Sequence, residues 1–176
     1  MRKLALLALP AALVVGILAG CSGTGTSSGG TVSDETPTPV ATQSKTAEAA
    51  APKFGQTYTF SNGLKLSLSA PEAFTPSEYA AGKAANNVKF TVTVVNGTKE
   101  TLTPALLSFT ATAAGQAGQS IEDTEQSVSS FPQASSVAVG ATTSWTTGFG
   151  FAGATDDLTV EVNPNDFTSK AVTFTK

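Results

Sequence analysis

Beyond Pro52 the chain alternates. Leu64, Leu66 and Leu68 are interleaved with Lys65, Ser67 and Ser69, and Val88, Phe90, Val92 and Val94 with Lys89, Thr91 and Thr93. The same holds for Leu158, Val160 and Val162 against Thr159, Glu161 and Asn163, and for Val172 and Phe174 against Thr173 and Thr175. A period of two sends one set of side chains to a core and the other to water, which predicts half-buried antiparallel strands. Leu107, Phe109 and Ala111 continue the pattern, as do Trp145, Phe149 and Phe151.

Turn residues fall between these runs. Asn62-Gly63 separates YTFS from LKLS, a strong hairpin signal because both residues tolerate positive φ. Asn96-Gly97 closes the Val88 strand, and Gly140, Gly153 and Asn163-Pro164 punctuate the second half. Asn96-Gly97-Thr98 also reads as a glycosylation sequon; the turn is the preferred reading. Between Pro71 and Asn87 the alternation lapses, and Pro76-Ser77-Glu78-Tyr79 predicts at most one helical turn. Seven or eight strands in one domain, 53–176, are the count of an all-β sandwich.

The N-terminus follows other rules. Arg2 and Lys3 precede an apolar run from Leu4 that ends in Leu18-Ala19-Gly20-Cys21. Basic start, apolar middle and small residues before a cut are the parts of a secretory signal peptide, assigned here to 1–20. With cysteine first after the cut, the stretch resembles the lipobox of bacterial lipoproteins, which implies diacylglycerol on Cys21 and a cell-membrane anchor on the extracytoplasmic face. Besides plain secretion, a retained helix is the alternative. Its 17 residues, Leu4 to Gly20, sit at the short limit for crossing a bilayer, and Pro10 and Gly16 interrupt them. Residues 21–52 have no aromatic side chain, and Val32 and Val40 are the only large apolar ones after Cys21. Such a segment is expected to stay disordered, with an r.m.s. reach of about 30 Å as a flexible coil. It reads as a solubilising spacer, with O-glycosylation of its Ser and Thr residues as the other option.

Charge and composition exclude more than they assign. Losing Arg2 and Lys3 takes the net charge from −3 to −5. No basic cluster remains for nucleic acid or anionic lipid. The chain has no histidine, and Cys21 is its only cysteine. Ser-His-Asp and Cys-His nucleophile pairs are therefore excluded, along with zinc sites built on those ligands. Ser-x-x-Lys and phosphate-loop motifs are absent as well. Only carboxylates or a bound metal remain for catalysis, so the chain is not expected to be an enzyme, and no cofactor is expected.

The order of the strands carries a second resemblance. FGQTYTF, GLKLSLSAP, VKFTVTVVNGTKETLTP, LLSFTAT, VAVGATTSWTTGFGF and LTVEV follow one another over about residues 54–176. The series is similar to the uncharacterised immunoglobulin-like domains of Gram-positive lipoproteins, grouped with the immunoprotective extracellular antigen family. That resemblance implies an immunoglobulin-like antiparallel β-sandwich and no enzymatic activity. Without a cysteine pair to bridge the sheets, packing alone must hold the domain, with Trp145 as the candidate central aromatic.

Two acidic groups are candidate cation sites: Glu122, Asp123 and Glu125, and the pair Asp156-Asp157. Neither has the spacing of a dedicated calcium loop, and solvated turns are the preferred reading, so no metal site is assigned. Phe74, Tyr79 and Phe131 lie in the poorly patterned connections, where exposed aromatics mark contact surfaces, and are the candidate binding residues. The expected function is a surface-displayed binding module, monomeric, tethered to the membrane through Cys21 and facing an envelope or host partner. The alternatives are an accessory lipoprotein docking to an envelope complex and, behind it, a carboxylate- or metal-dependent hydrolase.

Overall fold

The computed structural model describes the backbone of residues 31–33 and all of residues 50–176. The signal peptide, Cys21 and the rest of the spacer lie outside the described residues.

The alternating runs become strands, and the strands form two antiparallel sheets packed face to face. The first sheet has the order β1 (Thr31–Ser33), β2 (Thr57–Thr59), β3 (Leu64–Leu68), β5 (Asn86–Asn96), β9 (Thr142–Phe151) and β8 (Gln119–Ser120), with β4 (Glu72–Ala73) also on β5. The second runs β11 (Val172–Thr175), β10 (Thr159–Asn163), β6 (Ser108–Ala113) and β7 (Gln116–Ala117). One 3-10 turn, Pro104–Leu106, precedes β6. The strands expected from alternation are β2, β3, β5, β6, β9, β10 and β11; the two-residue strands carry no periodic signal and were not foreseen.

Register explains why the pattern was readable. Val88, Phe90 and Val92 of β5 stand opposite Phe149, Thr147 and Trp145 of β9, so every inward position meets an inward position. From the second sheet Ala111, Val160, Val162, Val172 and Phe174 close the core. Phe90 stacks on Phe149 with centroids 6.0 Å apart, and Phe54 bridges Phe90 and Phe174 at 5.9 and 6.5 Å. Trp145 is 7% exposed and meets Phe109 edge-to-face at 5.9 Å. Its indole N–H has no hydrogen-bond partner among the described residues.

Two expectations need correction. The spacer is not wholly without structure, because Thr31–Ser33 pairs with β2 as an edge strand. Composition measures the apolar surface a segment can bury, whereas an open sheet edge offers backbone bonds that need none. In the Asn62-Gly63 hairpin only Gly63 has positive φ, 93°, and Gly63 N–H bonds Phe60 O at 2.9 Å. This is a turn closed by a left-handed glycine, in place of a two-residue loop with two positive φ values. A Cβ on Gly63 would sit 2.4 Å from Gly97 O, so the two Asn-Gly turns touch where only glycine fits.

Asn96 ends β5 on the inward face and is completely buried. Its Nδ2 donates to Glu100 O and Val137 O, both at 2.8 Å. Its Oδ1 accepts from Thr98 Oγ1 at 2.7 Å and Thr98 N–H at 3.1 Å. The amide is fully committed to the turn, and the sequon is closed to a glycan in the folded domain.

The outer face of β9 is covered too. Ala80, Ile121 and Val128 form a small second core with Phe74 packed against it. It fits because β9 carries glycine on that face: a Cβ on Gly150 would lie 2.4 Å from Gly82 O. Pro76-Ser77-Glu78-Tyr79 forms a single turn, Ala80 N–H to Ser77 O at 3.2 Å, and not a helix.

Candidate functional site

Short edge strands leave a gap where the two sheets part. β8 pairs β9 only at Phe149 and Gly150, and β7 pairs β6 only at Thr112 and Ala113. The first half of β6 and the middle of β9 therefore flank a groove of about 610 Å³, within the roughly 300–1,000 Å³ typical of ligand sites. Phe109, Thr147 and Phe149 line it from the strands, and three large side chains stand at its margins. These are Leu106, 59% exposed, Phe131, 63% exposed, and Phe167, fully exposed. The polar groups of the lining are Ser108, Ser120, Ser130, Thr147 and Asn165, and none of its side chains is charged.

Each margin is held from behind. Leu106 ends the 3-10 turn that begins at Pro104, a residue suited to a first helical position. Phe131 follows a segment pinned to β9 by Ser129 N–H to Thr146 O at 3.0 Å. Glu122 Oε1 accepts Ser130 N–H at 2.8 Å, so this carboxylate positions the loop. Phe167 sits at φ 60° beside Asn165 at φ 52°, rare conformations for an L-residue and a genuine outlier for a bulky one. The surrounding bonds over-determine them. Asn165 Nδ2 donates to Leu106 O at 2.7 Å and Ser108 Oγ at 3.1 Å. Asp166 accepts from Asn62 Nδ2, Thr168 N–H, Ser169 N–H and Ser169 Oγ at 2.6–2.9 Å. Burial raises the Asp166 pKa, but these hydrogen bonds to the ionised form outweigh it and leave the pKa below the ordinary 3.8.

The aromatics singled out from sequence separate in space. Phe131 lines the groove. Tyr79 is 84% exposed on the turn after Ser77, away from the groove lining. Phe74 is half-buried outside the groove lining: its ring packs against the second core, with Lys89 Nζ 5.2 Å above its centroid. The loop looks unpatterned because its apolar residue serves a different core from the one that β5 and β9 fill.

Of the candidate acidic residues, Glu122, Asp123 and Asp157 accept hydrogen bonds within the fold. Asp123, read as part of a solvated turn, is buried. Its oxygens accept Ser77 N–H at 2.7 Å, Ser77 Oγ at 2.8 Å and Gln126 N–H at 3.2 Å. The bond from the Ser77 amide is the foremost cause of a pKa below the ordinary 3.8; burial acts the other way. Asp157 Oδ1 accepts Ala114 N–H at 2.7 Å, capping the β6–β7 turn. Glu125 and Asp156 are exposed. Among the described residues no group of three or more acidic, histidine or cysteine side chains is placed to share a metal.

Leu106 and Phe167 were not candidates from sequence. The signal for Phe167 was a large aromatic directly after Asn163-Pro164-Asn165-Asp166, where turn chemistry offers it no core.

No family model matches the chain, and no curated protein matches it. Solved structures do. The yjhA protein of Bacillus subtilis is 12% identical with a TM-score of 0.57, over 70% of this chain and 98% of its own. The ycdA protein of Bacillus subtilis, assigned as a lipoprotein, is 15% identical with a TM-score of 0.51, over 72% of this chain and 37% of its own. MPT63, a secreted protein from Mycobacterium tuberculosis, is 20% identical with a TM-score of 0.44, over 69% and 86%. At these identities the likeness to the first two is one of fold: the chain shares its antiparallel β-sandwich with them.

Proposed function

We propose that the chain is an extracytoplasmic lipoprotein, anchored through Cys21, whose immunoglobulin-like sandwich binds an uncharged, apolar or aromatic segment of an envelope or host component. One observation carries the binding half. Leu106, Phe131 and Phe167 arise from three separate loops and converge on one groove without a charged residue in its lining. Large exposed side chains scattered singly need no explanation, but a convergent set rimmed by hydroxyls marks an interaction site. Phe167 adds to this, because a strained backbone that holds a ring in solvent is a feature that accumulates at binding sites. The anchoring half is supported by the lipobox-like Leu18-Ala19-Gly20-Cys21 and by the lipoprotein assignment of a protein with the same fold.

Each half has its own test. Cys21→Ala shifts the protein from the detergent phase to the aqueous phase on phase partitioning, since a diacylglyceryl group supplies the two chains that stable anchoring needs. A variant still partitioning with detergent rules the anchor out. For the groove, Phe131→Ala and Phe167→Ala each weaken retention of the partner recovered from envelope extracts by about tenfold or more, as expected of anchor residues. Their unfolding free energies stay within about 0.5 kcal/mol of the parent. Tyr79→Ala, equally exposed but outside the groove, leaves retention unchanged. If all three variants retain the partner equally, the groove is not the binding surface.

A further inference from the structure

One strand of the first sheet comes from outside the sandwich. β1 pairs antiparallel with β2 in the register Thr31↔Thr59, Val32↔Tyr58 and Ser33↔Thr57. Apart from β1, the strand order leaves β2 as the last strand on that side. An uncovered edge is a ready template for another chain, and proteins cover such edges. Here the cover is the protein's own spacer. It is a weakly held cover: β1 and β2 have three residues each, against the five or six of an average strand, whereas β5 and β9 pair continuously from Asn86 to Val95.

Docking also changes how far the domain stands from its anchor. Thr31 is ten residues after Cys21, and Pro52 is 31 residues after it. At about 3.5 Å per fully extended residue, the reach from Cys21 is at most about 35 Å to a docked β1, but about 110 Å to Pro52 if β1 is released.

We infer that the outer edge of β2 is a strand-accepting surface that Thr31–Ser33 fills in cis, and that an extended segment of a partner polypeptide, by taking its place, lengthens the leash to the membrane. Main-chain bonds supply the affinity of such strand addition, so the partner needs a β-capable segment more than it needs any one side chain. The leash rests on the anchoring reading above; the strand exchange does not.

The exchange is tested on the full chain carrying Cys21→Ala. Residues directly opposite in an antiparallel pair have Cα atoms about 4.5–5.5 Å apart, inside the range a disulfide spans. Thr31→Cys with Thr59→Cys closes an intramolecular disulfide under mild oxidation at least tenfold faster than the offset pair Thr31→Cys with Thr57→Cys. The probe for the edge is a fluorescein-labelled peptide of residues 28–36. It does not bind the disulfide-locked chain. It binds saturably to Val32→Pro/Ser33→Pro, which removes an N–H donor whichever alternate residue faces β2. No preference for the in-register pair overturns the inference, as does equal peptide binding, or equal failure to bind, by the locked and proline-substituted chains. A disulfide that forms only between molecules, rising with concentration, assigns the edge to a second copy and overturns the cis arrangement.

For the leash, the lipidated chain on vesicles uses Trp145, the sole tryptophan, as energy donor to a dansyl-labelled lipid. Transfer is at least twofold higher in the locked chain than in the proline variant. Equal transfer with vesicle binding intact removes the leash; failure of both chains to bind vesicles removes the anchoring reading and leaves strand exchange to stand on the peptide result.

Discussion

Trp145→Ala lowers the unfolding free energy by about 3–5 kcal/mol, the usual cost of truncating a buried aromatic. That is a large part of the roughly 5–15 kcal/mol that holds a domain together, and this domain has no disulfide to fall back on. The indole stands opposite Val92 in the β5–β9 ladder and edge-to-face on Phe109 of the other sheet, so the substitution opens a cavity between the sheets. Trp145→Phe behaves differently. It loses volume, but it also removes a buried N–H without a hydrogen-bond partner among the described residues, a defect that costs about 1–3 kcal/mol. The two effects oppose each other, and the net loss is expected within about 1 kcal/mol. Urea unfolding followed by circular dichroism reads both, since the fluorophore itself is removed. A phenylalanine variant as unstable as the alanine one would show that the N–H is satisfied in solution.

Asn96→Asp is the other severe change, although it alters a single group. The replaced amide donates to Glu100 O and Val137 O in a fully buried position. A carboxylate there loses both donated bonds and faces two carbonyl oxygens with an uncompensated charge, a situation that costs about 3–5 kcal/mol. The sign of its pH dependence follows. Burial and the two carbonyls raise the folded-state pKa of the new acid above the ordinary value of about 3.9. The folded chain then holds its proton more tightly than the unfolded chain. The deficit therefore grows as pH rises from about 4 through the folded-state pKa, and is full above it. Denaturation at pH 7 and at pH 4 tests this; a deficit of the same size at both values contradicts it.

What could be read from the chain, and what could not, follows from the range of the forces involved. Val88, Phe90, Val92 and Val94 announce a core face because a strand must alternate and burial must be one-sided. Trp145 and Phe149 opposite them, with Phe151 further along β9, announce the same face independently. Strand identity, core membership and the sandwich class are thus local properties repeated along the sequence. The turns at Asn62-Gly63 and Asn96-Gly97 were legible for the same reason. Their mutual contact was not, because nothing in either dipeptide encodes the other.

The rest was decided by neighbours distant in sequence. Phe74 and Phe131 look alike in the chain, each an aromatic in an unpatterned connection. Phe74 is half-buried because Ala80, Ile121 and Val128 arrive beside it over the glycine face of β9. Phe131 is exposed beside the first half of β6, which β10 pairs on one edge but β7 leaves open on the other. Asp123 and Asp156 are equally acidic turn residues by sequence. Asp123 becomes a buried acceptor because Ser77, 46 residues away, donates to it twice. Thr31–Ser33 has a composition that cannot drive folding, yet it becomes a strand where the edge of β2 supplies its hydrogen bonds. Alternation and turn chemistry act between residues a few positions apart and so are written in the sequence. Which apolar groups meet, which stay in solvent and which backbone edge finds a partner depend on how the sheets close, and only the tertiary structure decides them.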